Sequence, residues 1–409
     1  MTPFLRMTKL IRFFLLPALL CVLACPEQGG AAPAFPEPAQ CPELDGLPNP
    51  FVHCDGRPVP NPEAWPERRA ELREMLLHYA YGHPPAMPVT VQALDVQERM
   101  RRGGEERGVT FSLETQGGAA PFRMQCGIVF PANGGPKFPV ILAIDPVWQP
   151  HVEETARQVT GRGYAFAGFV YHDVDDDNAD RGNGVYPAFP GNDWATLAAW
   201  AWAASRLTDY LTTRDDVDTA RIAVTGHSRC GKAALLAGAL DERFALTAPH
   251  ASGAGGAGSF RIQPKGVETL ELITAPDRFH YWFHPNLRGF SGMENRLPFD
   301  QHFLKALVAP RALLSMEAFG DKWANPSGSW QTHLAAREVF RFLDAEDRIM
   351  AWYRPGGHDL TPEDWTALLD AADHVFKGRA LPNALRKNPF PAEKASFPWR
   401  APEQAKGAP

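Results

Sequence analysis

The sequence predicts an α/β protein with a mostly parallel central sheet flanked by helices on both faces. Three observations carry this. From residue 138 onward, short apolar runs alternate with helical stretches, the order that builds parallel strands joined by crossover helices. The runs themselves, such as FPVILAID at 138–145, are continuously apolar, as strands covered on both faces are. At 221–240, RIAVTGHSRCGKAALLAGAL, an apolar strand stops at a glycine-flanked turn and an Ala/Leu-rich helix begins at once.

Taken in order, residues 26–66 are rich in Pro, Gly and Glu and read as an extended arm. A helix is expected from about Pro66 to Tyr81, with Leu72, Met75, Leu76 and Tyr79 on one face, ended by Gly82-His83-Pro84-Pro85. Residues 88–130 alternate polar and apolar and predict antiparallel strands, with the charged stretch Arg99–Arg107 as a hairpin tip. Strands follow at 138–145 and 164–171 around a helix at 152–161. A long helix at 193–213, capped by Asn192 or Asp193, carries Trp200 and Trp202 as core residues. After the strand 222–225 and its helix come strands at 244–247, 311–316 and 348–353 and helices at 302–308, 328–343 and 362–376. There is no internal repeat and no coiled-coil pattern.

Composition narrows the function classes. The chain has 409 residues, 44% hydrophobic and 22% charged, which suits a globular protein with a substantial core. A net charge of −6 gives no electrostatic footprint for nucleic acid. At the N-terminus, Arg6, Lys9 and Arg12 precede an apolar run from Phe13 to Leu23, the pattern of a bacterial export signal. Two exits are open: cleavage near Ala32-Pro33-Ala34, or lipid anchoring through Cys25 after Val22-Leu23-Ala24. Residues 1–34 are therefore read as signal and linker, and 35–409 as a single α/β domain with an arm at 35–87. The expected location is secreted, periplasmic or on the outer envelope, and the expected state is a monomer. Outside the cytoplasm disulfides are allowed; Cys41 and Cys54 are placed to staple the arm, and the pairing of Cys126 and Cys230 stays open. No Cys/His ladder points to zinc, and the acidic loop His172–Asp180 lacks the Gly and Glu of a calcium loop, so it reads as solvated and no metal or cofactor is expected.

The strand–turn–helix at Gly226-His227-Ser228-Arg229-Cys230-Gly231 has the layout of a nucleophile elbow, in which a strained turn pushes a serine hydroxyl out of the sheet. A nucleophilic serine needs a base, and the base an orienting acid. In α/β-hydrolase order the acid follows a later strand and the histidine comes last. His358 lies in a glycine-flanked loop past the strand 348–353, and Asp321, with Glu317 its rival, follows the strand 311–316. Arg229 directly follows the serine, where its N–H and guanidinium can stabilise a developing oxyanion.

These motifs resemble carbohydrate esterase family 15, the glucuronoyl esterases. The resemblance rests on VTGHSRCGKAALLAGALDERFAL, SGAGG at 252–256, PFDQHFLKALVAPRALL, GDKWANP and RPGGHDLTPEDW, and covers nearly the whole mature chain, including Asp55-Gly-Arg-Pro and the Tyr81-Gly82 helix end. It implies an α/β-hydrolase fold, a three-layer sandwich with an N-terminal extension. It also implies a metal-free serine esterase that cleaves esters between 4-O-methyl-glucuronic acid on xylan and lignin alcohols. Ser228 then matches the nucleophile, His358 the base, Arg229 the oxyanion arginine and Lys232 a lysine that binds sugar hydroxyls; Trp323 and Glu268 match sugar-contacting residues. One departure stands out. Many members carry the catalytic glutamate directly before S-G-x-G-G, where this chain has Ala251; others lack it and place the acid after the later strand, where Asp321 lies. Two other readings remain: an acetyl-xylan or feruloyl-type esterase of the same fold, and a non-catalytic carbohydrate-binding relative.

Overall fold

Among the described residues nine strands form one sheet in the order β1-β2-β3-β5-β4-β6-β7-β8-β9. The computed structural model describes residues 35–86, 89–133 and 135–403, and those from Pro36 onward belong to one unit. The expected signal segment, with Cys25 and the cleavage site before residue 35, lies outside the described residues. β1 (Thr90–Arg101), β2 (Glu106–Gln116) and β3 (Phe122–Pro131) are antiparallel, and β3 also runs antiparallel to β5 (Ala165–Phe169). β4 (Phe138–Ala143), β5, β6 (Val217–His227), β7 (Phe244–His250), β8 (Ala312–Ala318) and β9 (Ile349–Arg354) are mutually parallel, so their carboxyl ends share one edge.

Among the described residues ten α-helices accompany the sheet: α1 (Trp65–Leu76), α2 (Glu153–Gly161), α3 (Tyr171–Val174), α4 (Thr196–Leu211), α5 (Arg229–Leu240), α6 (Leu270–Thr274), α7 (Pro285–Arg288), α8 (Gln301–Ala306), α9 (Pro326–Phe342) and α10 (Pro362–Lys377). α2 and α10 pack together on one face, where Ala156, Val159, Trp365, Leu368, Leu369 and Phe376 meet Ile141, Phe166, Leu246 and Leu314 of the strands. The Phe166 and Trp365 rings meet edge to face at 5.4 Å. Truncating one such leucine costs about 2–5 kcal/mol. On the other face α4 packs on α5, and α8 bridges α5 and α9. Trp200 and Trp202 of α4 are buried, as expected.

Several expectations change in detail. The helix after Trp65 widens into a π turn at Leu77–Tyr81 before Gly82 ends it at φ +72°. A Cβ on Gly82 would lie 2.3 Å from the Asp193 carbonyl oxygen, so only glycine lets these segments meet. α4 begins at Thr196, and neither Asn192 nor Asp193 caps it; Asp193 instead accepts from the His83 N–H at 2.7 Å. The hairpin tip is shorter than Arg99–Arg107, because Glu106 enters β2 and is buried, accepting from the Thr160 hydroxyl at 2.9 Å.

The cysteine staple is corrected. Cys41, Cys54, Cys126 and Cys230 are all free thiols. Cys41 is buried beside the Tyr79 hydroxyl, 3.9 Å away, whereas Cys54 is exposed with Arg68 Nη1 at 3.8 Å. The arm is held by other means. Tyr79 Oη donates to the Pro36 carbonyl (2.6 Å), His302 Nε2 to the Pro48 carbonyl (2.8 Å) and Trp399 Nε1 to the Leu47 carbonyl (2.7 Å). No described helix is long and apolar enough to cross a membrane.

Candidate active site

The carboxyl ends of β6, β8 and β9 deliver the predicted serine, acid and histidine to one place. Ser228 sits at φ +56°, ψ −120°, between β6 and the first residue of α5, and its N–H donates to the His250 carbonyl at 2.9 Å. A non-glycine residue at positive φ stores strain of order 1–3 kcal/mol, held here by the flanking strand and helix. A Cβ on Gly226 would lie 2.3 Å from the Cys230 carbonyl oxygen, and one on Gly231 would lie 2.7 Å from that of His250. That explains the variant elbow. The two glycines are needed where the turn touches β7 and itself, while the side chain of Cys230 is buried without collision.

His358 lies between its two partners. Its Nε2 is 2.9 Å from Ser228 Oγ, which donates to it, and its Nδ1–H donates to Asp321 Oδ2 at 2.6 Å. The Asp321 hydrogen bond raises the histidine above its ordinary value, against burial. Burial works to raise Asp321, but the hydrogen bond and charge of His358 outweigh it and hold the carboxyl low. Glu317, the rival acid, is fully buried in β8, makes no hydrogen bond to His358, and is pushed up by burial. Ala251 lines the cavity beside Ser228.

A second histidine fixes the first. His227 Nε2 lies 2.6 Å from the His358 carbonyl, which can only accept, so this nitrogen carries the proton. Burial, with the nearby His250 and His358, lowers His227 to about 4, leaving it neutral at ordinary pH.

Arg229 is not free, nor does it pair along its own helix. Its Nη1 donates to Asp177 Oδ2, and its guanidinium lies 5.5 Å from the Trp282 ring centroid. Trp282 Nε1 donates to Asp177 Oδ1, and Tyr281 Oη to the Asp177 carbonyl, each at 2.6 Å. The solvated reading of the acidic loop is therefore corrected for two residues. Asp177 turns inward to Arg229, and buried Asp175 accepts from Tyr186 Oη (2.6 Å), Arg181 Nη1 (2.7 Å) and Thr196 Oγ1 (2.8 Å). Among the described residues, no group of three or more His, Cys, Asp or Glu is placed to hold a metal ion.

Lys232, only 3% exposed, lines the same cavity but gives its three N–H bonds to protein acceptors: Glu268 Oε2 (2.5 Å) and the carbonyls of Ala254 (2.6 Å) and Ser252 (2.8 Å). It braces Glu268 and the Ser252–Ala254 turn, and has no spare donor for a sugar hydroxyl in this state. Burial lowers the lysine and raises the glutamate, each opposed by the other's charge. A Cβ on Gly253, at φ +55°, would come 2.4 Å from Glu268 Oε2. Trp323 is 40% exposed and completes the wall.

These residues line a cavity of about 250 Å³ with Phe279 and Trp282. A cavity of about 370 Å³ opens on the other side of the serine. A cavity of about 570 Å³, lined by Arg73, His83, Trp202 and Arg243 among others, shares no residue with the serine site. The sequence did not single out Asp177, Trp282 or His227. The first stood in an acidic run, the second among 11 tryptophans, and the third was read only as part of the elbow turn.

Known proteins share this arrangement of chain. A family model described as glucuronyl esterase, fungi, matches residues 113–344. A 4-O-methyl-glucuronoyl methylesterase from Phanerochaete chrysosporium is 33% identical over 350 residues, covering 81% of this chain and 69% of its own. The structure of a family 15 glucuronoyl esterase from Caldicellulosiruptor kristjansonii superposes with a TM-score of 0.79 at 32% identity, over 89% of this chain and 99% of that one. That of a glucuronoyl esterase variant from Sporotrichum thermophile, in complex with methyl 4-O-methyl-β-D-glucopyranuronate, gives 0.69 at 26% identity, over 84% and 91%. The chain belongs to carbohydrate esterase family 15, the glucuronoyl esterases, a family of carboxylic ester hydrolases with the α/β-hydrolase fold.

Proposed function

We propose that the protein is a serine esterase that hydrolyses the ester between (4-O-methyl-)glucuronic acid on xylan and a lignin alcohol. The observation that carries this reading is the His358 ring spanning Ser228 Oγ and Asp321 Oδ2 at 2.9 and 2.6 Å, beside a cavity walled by Glu268, Lys232 and Trp323. His358 takes the serine proton as Oγ attacks the ester carbonyl carbon, and Asp321 steadies the imidazolium. Arg229 faces the charge that develops on the carbonyl oxygen. The imidazolium then protonates the departing alcohol. A water, deprotonated in turn by His358, releases the uronate from the serine. Glu268 and Trp323 would hold the sugar by hydrogen bonding and stacking, with Lys232 supporting Glu268. We further propose that the chain is exported by its N-terminal segment, anchored through Cys25 or released, and acts as a monomer on glucuronoxylan.

The test is hydrolysis of methyl or benzyl glucuronate, with galacturonate esters and acetylated xylan as competitors and Ser228→Ala as control. Release of alcohol from the glucuronate esters is expected. Activity on acetylated xylan alone would replace this reading by an acetyl-xylan esterase.

A further inference from the structure

His358 rides on a loop with little stiffness of its own. Residues 355–361, Pro-Gly-Gly-His-Asp-Leu-Thr, join β9 to α10, with Gly356 at φ +104°. What fixes this loop is Arg354 at its start, only 8% exposed. Its Nη1 donates to the Pro355 carbonyl at 2.9 Å and its Nη2 to that of Asp359, so one guanidinium holds the backbone on both sides of His358. The guanidinium is itself aimed by Asp364, whose Oδ1 and Oδ2 accept from Arg354 Nε at 2.9 and 2.8 Å. The loop of the acid is tied in as well: Gly320, one residue before Asp321, donates to the Gly356 carbonyl at 2.9 Å.

Asp364 is fully buried in the first turn of α10 and lines neither cavity beside Ser228. As a helix cap it would need only the Thr361 N–H, which it accepts at 2.9 Å. It does more. Trp352 Nε1 donates to it at 2.8 Å, and His250 Nε2 lies 3.2 Å away. His250 ends β7, and its carbonyl takes the Ser228 N–H. The histidine loop and the serine turn thus lean on one carboxylate. Burial works to raise Asp364, but His250, Thr361 and Arg354 outweigh it and keep the group ionised. We propose that Asp364, acting through Arg354 and His250, is a positioning residue that sets His358 at hydrogen-bond distance from Ser228 and Asp321. The inference rests on the esterase reading and says what holds its geometry. A catalytic group misplaced by about 1 Å loses on the order of 10² in rate, so such a support is felt in turnover.

The experiment measures kcat, KM and the pH profile of kcat/KM on methyl glucuronate for the wild-type enzyme, Asp364→Asn, Arg354→Lys and Leu368→Ala. Asp364→Asn removes the charge that aims Arg354. Arg354→Lys keeps its charge but cannot reach both loop carbonyls. Leu368→Ala, on the same helix, loses only apolar packing and serves as the stability control. Assays run below the melting temperature of every variant. Asp364→Asn and Arg354→Lys are each expected to lower kcat about tenfold to a hundredfold, with KM within about threefold. Their rising limb should also move to lower pH, because a displaced His358 loses its bond to Asp321. The titratable groups around it, Asp321, His227, Lys232 and Glu268, are the same in every variant. Leu368→Ala should melt lower yet keep both kcat and the limb. A limb that stays in place in both loop variants, or the same losses in Leu368→Ala, would overturn the positioning role and leave the esterase reading intact. A wild-type enzyme inactive on methyl glucuronate would overturn both. Where one loop variant fails to fold, the other decides.

Discussion

Asp177 grips Arg229 with one carboxylate oxygen and the Trp282 indole with the other, so the arginine beside the serine is held by a residue 52 positions earlier in the chain. Asp177 itself sits at φ +59°, a left-handed backbone that Asp tolerates better than most residues. The oxyanion role proposed for Arg229 requires that it be oriented before charge develops. Asp177→Ala should therefore lower kcat about tenfold to a hundredfold, with a smaller change in KM, since losing an oxyanion donor outright costs about 10²–10³. Asp177→Asn, which keeps the Trp282 hydrogen bond, should recover part of the loss. Steady-state kinetics on methyl glucuronate provide the comparison.

On the proposed mechanism His358 must be neutral to accept the serine proton, and Asp321 raises it above its ordinary value of 6.5. Activity should thus climb as pH rises through that raised value. Asp321→Asn removes the cause of the shift, moving the rising limb to lower pH, and should cost about 10⁴ in kcat by leaving the imidazole unoriented. A pH profile of kcat/KM reads both effects. A limb that stays in place in the variant would point to another group.

Glu317 makes the complementary case. Buried and without a bond to His358, it should tolerate Glu317→Gln with turnover reduced no more than a few-fold in the folded enzyme. Loss comparable to that of Asp321→Asn would transfer the acid's role to Glu317.

Lys232 stands in a buried charge pair, and breaking such a pair from one side costs about 3–5 kcal/mol. Lys232→Met should lower the melting temperature by many degrees and raise KM by loosening Glu268 and the Ser252–Ala254 turn. A lysine that served only as a sugar donor would change KM and leave the melting temperature alone.

His227 should be sensitive in a different way. His227→Phe keeps the ring volume but loses the donor to the His358 carbonyl, so kcat should fall about tenfold, the scale of a misplaced catalytic group. The shape of the pH profile should hold, because the neutral His227 carries no charge to remove.

Much of this was legible in the sequence, and the reasons differ by residue. The parallel strands announce themselves because burial on both faces leaves unbroken apolar runs, as in Val140–Ala143 and Ile222–Thr225. Ser228, Asp321 and His358 could be placed because each lies just past the end of a strand, and parallel strands bring their carboxyl ends to one edge. The Arg229 brace could not be read, because Asp177 looks like any carboxylate in an acidic run until the loop after β5 folds back toward Trp282. Nor could the internal use of Lys232, whose three acceptors include two backbone carbonyls that carry no sequence signal. The proposed staple of Cys41 and Cys54 failed because proximity in sequence says nothing about direction: one thiol points to Tyr79 and the other to Arg68.

The most direct measurement is covalent labelling of the folded enzyme with a fluorophosphonate, followed by peptide mass spectrometry and assay on benzyl glucuronate. The adduct is predicted on Ser228, with activity lost in proportion to labelling and both absent in Ser228→Ala. Label on another residue, or benzyl glucuronate hydrolysis that persists in Ser228→Ala, would contradict the account.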